Sequence, residues 1–147
     1  MFIAPFVLGL AVQRAYPLPG PPYWTRILLG ALCALPALAL YVAAQVTLHR
    51  ARTTMDPDGR PRVLVATGPF RRSRNPLYLA LLLLYAGVAL GTGALWSLAL
   101  LPAAAAWVHY GAVKREEHVL AGLFGEEYAR YRQTVPRWWG FSARAAN

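Results

Sequence analysis

The sequence predicts an all-α integral membrane protein, with about four transmembrane helices and a C-terminal cytoplasmic amphipathic helix. Three observations predict it. More than half of the 147 residues are hydrophobic, and residues 27–48 and 76–113 contain no Asp, Glu, Lys or Arg. A bilayer core needs about 20 apolar residues at a 1.5 Å rise, so the first run is one span and the second is two. Of the 15 Lys and Arg, all but Arg14 and Arg26 fall in residues 50–75 and 114–147. The positive-inside rule puts both of those segments in the cytoplasm.

Each element follows in order. Residues 1–13 are apolar but lack the basic start and small-residue cleavage site of a signal peptide, so they read as a short or tilted first span. Tyr23 and Trp24 stand where an interfacial aromatic belt belongs, just before the second span at 27–48. Pro36 and Pro102 fall inside spans and predict kinks. Met55-Asp56-Pro57-Asp58-Gly59 is a turn by composition, and its two acids solvate it. Arg62-Val63-Leu64-Val65 is β-branched but too short for a sheet, and it reads as an extended segment whose backbone groups need partners. Gly91-Thr92-Gly93 reverses the chain between spans at 76–90 and 94–113. Beyond Lys114, the residues Leu120, Leu123, Phe124, Tyr128 and Tyr131 recur at helical spacing, with a bend expected near Gly122 and Gly125. Trp138, Trp139 and Phe141 read as interfacial anchors. The whole is one membrane domain, 1–147. Residues 1–59 supply the N-terminal spans and a cytoplasmic turn, and 60–138 the core that carries chemistry.

Several function classes drop out. The single Cys33 excludes a disulfide scaffold, and His49, His109 and His118 are not spaced as metal ligands, so no metal is expected. No P-loop, Gly-x-Gly-x-x-Gly, His-Glu-x-x-His or Gly-x-Ser-x-Gly occurs. The net charge of +9 belongs at the membrane edge, beside anionic lipid headgroups, rather than on nucleic acid.

Two polar clusters remain. One is Gly68-Pro69-Phe70-Arg71-Arg72-Ser73-Arg74-Asn75-Pro76-Leu77-Tyr78, directly before the third span; the other is Arg115-Glu116-Glu117, directly after the fourth. A helical hairpin brings them to one membrane face. Spacing alone leaves two readings. Asn75 then Pro76 is an ordinary helix start, with the arginines as topology anchors and the acids as their counter-charges. Alternatively, the arginines hold a ligand carboxylate while a glutamate accepts from hydroxyls or an amine.

The ordered motifs Gly-Pro-Phe-x-x-x-Arg-Asn-Pro-x-Tyr, Glu116-Glu117, Phe124-Gly125-Glu126-Glu127-Tyr128 and Val135-Pro136-Arg137 resemble the isoprenylcysteine carboxyl methyltransferase family, with its phospholipid methyltransferase relatives. The likeness covers roughly residues 60–138. It implies a multi-pass membrane enzyme transferring a methyl group from S-adenosylmethionine to a lipophilic small-molecule acceptor, with membrane lipid as its surroundings and its site facing the cytoplasm. The Ala- and Arg-rich composition points to a bacterial inner membrane. By position, the resemblance implies that Arg62, Val63, Leu64 and Val65 hold the cofactor through backbone groups and that Phe70 lines an aromatic pocket. It makes Arg74 and Asn75 the catalytic pair, also touching cofactor alongside Tyr78 and Glu116. Glu117 takes the acid's role if the register is off by one. Two departures stand out: Asn75 replaces the histidine of many prenylcysteine enzymes, and Ala112 replaces an arginine one turn before the acid. The rivals are a sterol-reductase-type membrane enzyme using NADPH, and a non-enzymatic adaptor using its basic face.

Overall fold

A computed structural model describes residues 2–51 and 63–140. All its regular elements are helical: α1 (Ile3–Ala15), α2 (Tyr23–Arg50), a 3₁₀ turn (Gly68–Arg71), α3 (Pro76–Thr92), α4 (Leu95–Ala99), α5 (Leu101–Val108), a π-helical stretch (His109–Val113) and α6 (Lys114–Thr134). Among the described residues no strand forms. The expected turn around Met55–Gly59, Arg62, and Phe141 lie outside them. The chain divides into two compact units, one from Met1–Ala39 and Tyr78–Ala112, the other from Leu40–Leu77 and Val113–Asn147.

One helix, α2, is long and apolar enough to cross a membrane; α1 and α3 are apolar but shorter. Along α2, Gly30, Ala37 and Ala44 are buried at intervals of seven, while Leu28, Leu32, Leu35, Leu38, Val42 and Val46 are exposed. Small residues thus face protein and large aliphatic ones face outward, the inverse of a water-soluble helix. That is the pattern of a helix whose outer solvent is lipid. Pro36 is accommodated inside the continuous α2.

In the first unit the helices approach through residues lacking bulk. Gly30 lies against the Gly87 carbonyl and the Gly91 backbone, and Gly9 against the Ser97 backbone. Ser97, fully buried, donates from Oγ to the Phe6 carbonyl at 2.9 Å and accepts at its own carbonyl from the Tyr85 hydroxyl at 2.8 Å. The Phe6 and Tyr85 rings meet edge to face at 5.3 Å. The expected reversal at Gly91-Thr92-Gly93 is present and its chemistry is specific. Gly93 takes φ 73°, its N–H bonds to the Leu90 carbonyl and the Ala94 N–H to the Ala89 carbonyl. That is the Schellman pattern of helix termination, which needs a residue tolerating positive φ.

The fourth expected span at 94–113 is not one helix. It breaks at Leu100 into α4 and α5, with Pro102 in the first turn of α5. Proline has no N–H to continue the ladder and its ring crowds the preceding turn, so a new helix start is the low-energy outcome. The stripe on α6 also needs one correction. Leu123 is exposed, whereas Glu117, Tyr128 and Tyr131 are buried and Leu120, Ala121 and Phe124 pack against the tyrosines. Gly125 (φ 46°, ψ −118°) interrupts the helix as expected; nothing crowds its α-carbon, so backbone conformation rather than space calls for glycine.

Candidate functional site

The second unit carries the polar cluster. Its core is Tyr128, Tyr131 and Val135, with Leu64, Leu120, Ala121 and Phe124 packed around them. Pro136 ends α6, since the residue before a proline is driven from helical to extended backbone; Val135 sits at φ −117°, ψ 126°. The chain then lies along residues 72–75 and is tied there by four bonds. The Arg74 N–H donates to the Pro136 carbonyl at 3.0 Å and the Gly140 N–H to the Arg72 carbonyl at 3.2 Å. The Ser73 hydroxyl and the Asn75 side-chain amide both donate to the Arg137 carbonyl, at 3.4 and 3.1 Å.

This arrangement delivers two guanidiniums to one carboxylate. Arg74 Nη1 lies 2.9 Å from Glu117 Oε1. Arg137 grips both oxygens, Nε to Oε1 at 2.9 Å and Nη2 to Oε2 at 2.7 Å. Such a fork is among the stronger hydrogen-bonded ion pairs. The side chains of Arg74 and Glu117 are 9% and 10% exposed, that of Arg137 32%. Arg74 Nη1 also donates to the Tyr128 hydroxyl at 3.4 Å, and the Tyr131 hydroxyl donates to the Phe70 carbonyl at 2.7 Å. Arg74 Nε is buried with no hydrogen-bond partner among the described residues. Two guanidiniums against one carboxylate leave the trio with one net positive charge.

The electrostatics follow from this packing. Burial would raise the Glu117 carboxyl, but the Arg137 hydrogen bonds and the charges of Arg74 and Arg137 outweigh it and hold it below the usual carboxylate range. The bond to Glu117 raises Arg137. Burial raises the phenols of Tyr128 and Tyr131, against the opposing pull of Arg74, so both stay neutral near neutral pH. A carboxyl depressed on folding stabilises the fold above its unfolded value and loses that contribution as pH falls through its folded value. The thermal stability of the detergent-solubilised protein is therefore expected to fall as pH drops below the ordinary glutamate range. In Glu117→Gln that acid-side loss should shrink, and an identical acid profile in both proteins would count against the pairing.

The residues singled out from sequence sort as follows. Arg74, Asn75 and Glu117 come together. Phe70 and Leu64 border the same cluster, Phe70 through its carbonyl and Leu64 by packing. Val63 is exposed and Val65 half-buried, both outside helix. Glu116 is exposed, one position off the buried face. Tyr78 is half-buried in the first turn of α3 and belongs to the first unit. Arg137, Ser73 and the two tyrosine hydroxyls were not assigned a role from sequence. Among the described residues no group of three or more His, Cys, Asp or Glu could hold a metal ion.

Among the described residues the regular elements are all helical, one helix is long and apolar enough to cross a membrane, and an Arg–Glu–Arg trio gathers beside the start of α3; this defines a class of membrane-associated helical proteins. The phospholipid methyltransferase family model matches residues 25–127, and the chain belongs to that family. Membership indicates a methyltransferase. Searches of curated proteins and of solved structures give no match to this chain.

Proposed function

We propose that the chain is a multi-pass enzyme of a bacterial inner membrane that transfers a methyl group from S-adenosylmethionine to a lipophilic acceptor at the cytoplasmic face. In this reading α1, α2, α3 and the broken helical segment 95–113 cross the bilayer, and residues 60–138 form the catalytic core. The observation that carries it is the trio of Arg74, Glu117 and Arg137, with Arg74 and Glu117 nine-tenths buried, its net positive charge and the unpartnered Arg74 Nε.

The residues present fit the cofactor's chemistry. A guanidinium with an unused buried donor suits the carboxylate of an amino-acid tail, and an acid held ionised suits an ammonium or ribose hydroxyls. Leu64, Phe70 and Phe124 offer apolar and aromatic surface of the kind an adenine stacks on. When bound, S-adenosylmethionine supplies a methyl group on a sulfonium, open to in-line displacement without a metal or covalent intermediate. The chain's own part is to bind, align and exclude water. Asn75, whose amide holds the Arg137 carbonyl, keeps Arg137 against Glu117. Glu117 is the acid we assign in place of Glu116, because it alone of the two lies on the buried face.

The acceptor is a prenylcysteine-like carboxylate or a phospholipid amine; the family's name supports the latter. Neutral Tyr128 and Tyr131 are poor bases for a protonated amine, whereas a carboxylate needs no proton removed. Ala112, where prenylcysteine enzymes carry arginine, argues the other way. The test is thermal protection of the purified protein by S-adenosylmethionine and, separately, by NADPH. It is followed by mass spectrometry of lipid extracts incubated with enzyme and isotope-labelled methyl donor. Protection by S-adenosylmethionine and a labelled lipid are expected. Protection by NADPH alone would replace this reading with a reductase.

A further inference from the structure

The second unit also contains a groove of about 930 Å³ that includes neither Arg74 nor Glu117 in its lining. Its lining includes the apolar Leu40 of α2, Ala66, Pro69 and Val135. It also includes Arg71 and Arg72, both exposed, and Trp139, whose ring centroid lies 6.0 Å from the Arg72 guanidinium carbon. Among the described residues no Asp or Glu lines it. The size suits one bound small molecule rather than a protein surface. Its lining is mixed: aliphatic side chains, one of them from the membrane-length helix, stand with two cations and a tryptophan. A free anion would leave the apolar lining unused, and a neutral lipid would leave the two arginines without a counter-charge.

We infer that this groove seats one anionic phospholipid, its phosphate against Arg71 and Arg72 and its glycerol and upper chains along Leu40 and Val135. The lipid is a resident partner rather than the methyl acceptor, because the groove's lining excludes the Arg74–Glu117 pair. Two arginines beside an anionic headgroup contribute roughly fivefold each, and the cation–π contact orders Arg72 toward the rim. The inference rests on α2 lying in a bilayer, and the statement that this lipid is not the acceptor rests also on the methyl-transfer reading.

The experiment is native mass spectrometry of the full chain released from micelles doped with phosphatidylglycerol or phosphatidylcholine. One phosphatidylglycerol per chain is expected, with phosphatidylcholine lost. Arg71→Gln with Arg72→Gln should weaken retention about 30-fold, while Arg115→Gln with Arg130→Gln, on exposed positions of α6, should leave it unchanged. Trp139→Ala provides a second, independent arm and should also weaken it. S-Adenosylmethionine binding should persist in the Arg71/Arg72 double variant, which separates failure here from failure of the enzyme reading. Equal loss in both arginine pairs, equal retention of phosphatidylcholine, or displacement by inorganic phosphate alone would overturn the site.

Discussion

Glu117→Ala is expected to destabilise the protein by about 3 kcal/mol or more, and to abolish S-adenosylmethionine binding, while Glu116→Ala does neither. The reason is what the substitution leaves behind. Arg74 is buried and donates to Glu117, and Arg137 spends its fork on the same carboxylate. Removing the acid leaves two guanidiniums facing each other without a counter-charge, and breaking a buried pair from one side costs about 3–5 kcal/mol. Glu116 is exposed on α6, where a side-chain interaction contributes at most about 1 kcal/mol. Thermal unfolding in detergent reads the stability and titration calorimetry the affinity. Comparable behaviour of the two alanine variants in both measurements would mean that the acid next to Arg74 has been misassigned.

Gly30→Leu is the second large effect, and it acts in the first unit. A Cβ on Gly30 would stand 2.8 Å from the Gly87 carbonyl oxygen and 2.8 Å from the Gly91 α-carbon. Both obstacles are backbone, so relief requires α2 and α3 to separate along their contact. Overpacking of this kind costs about 1–3 kcal/mol; a leucine at a helix crossing sits at the upper end, and Gly30→Ala should fall below it with the same sign. Gly122→Ala is the control: nothing lies within contact distance of its missing Cβ. In an exposed helix position it should stabilise by up to about 1 kcal/mol. Size-exclusion chromatography after graded heating measures the surviving folded fraction. Survival of Gly30→Leu equal to the parent would mean that the two helices do not meet through these glycines.

Much of the candidate site could be read before any coordinates. The arginine run ahead of α3 and the acid pair opening α6 were visible as a cationic and an anionic cluster with a helical hairpin between them. The burial of Glu117 was also within reach: Glu117, Ala121, Phe124, Tyr128, Tyr131 and Val135 follow at alternating spacings of four and three, a stripe that skips Glu116 and Leu123. Reading the stripe from Leu120 onward, rather than back through the charged residues, hid that Glu117 begins it. Arg137 was harder. It lies beyond the helix end in a segment with no periodicity, 20 residues from Glu117, and no local spacing predicts a pairing made by a chain folding back on itself.

By itself, then, the sequence determined the helical class, the membrane-length helix, the reversal at Gly93 and the bend at Gly125. These are local matters, settled by hydrophobic runs and by which backbone angles a residue tolerates. Only the tertiary structure decided where the chain after Pro136 goes and hence that Glu117 is held by two arginines. Burial of a charge is a property of everything packed around it, and the partners here come from residues far apart along the chain.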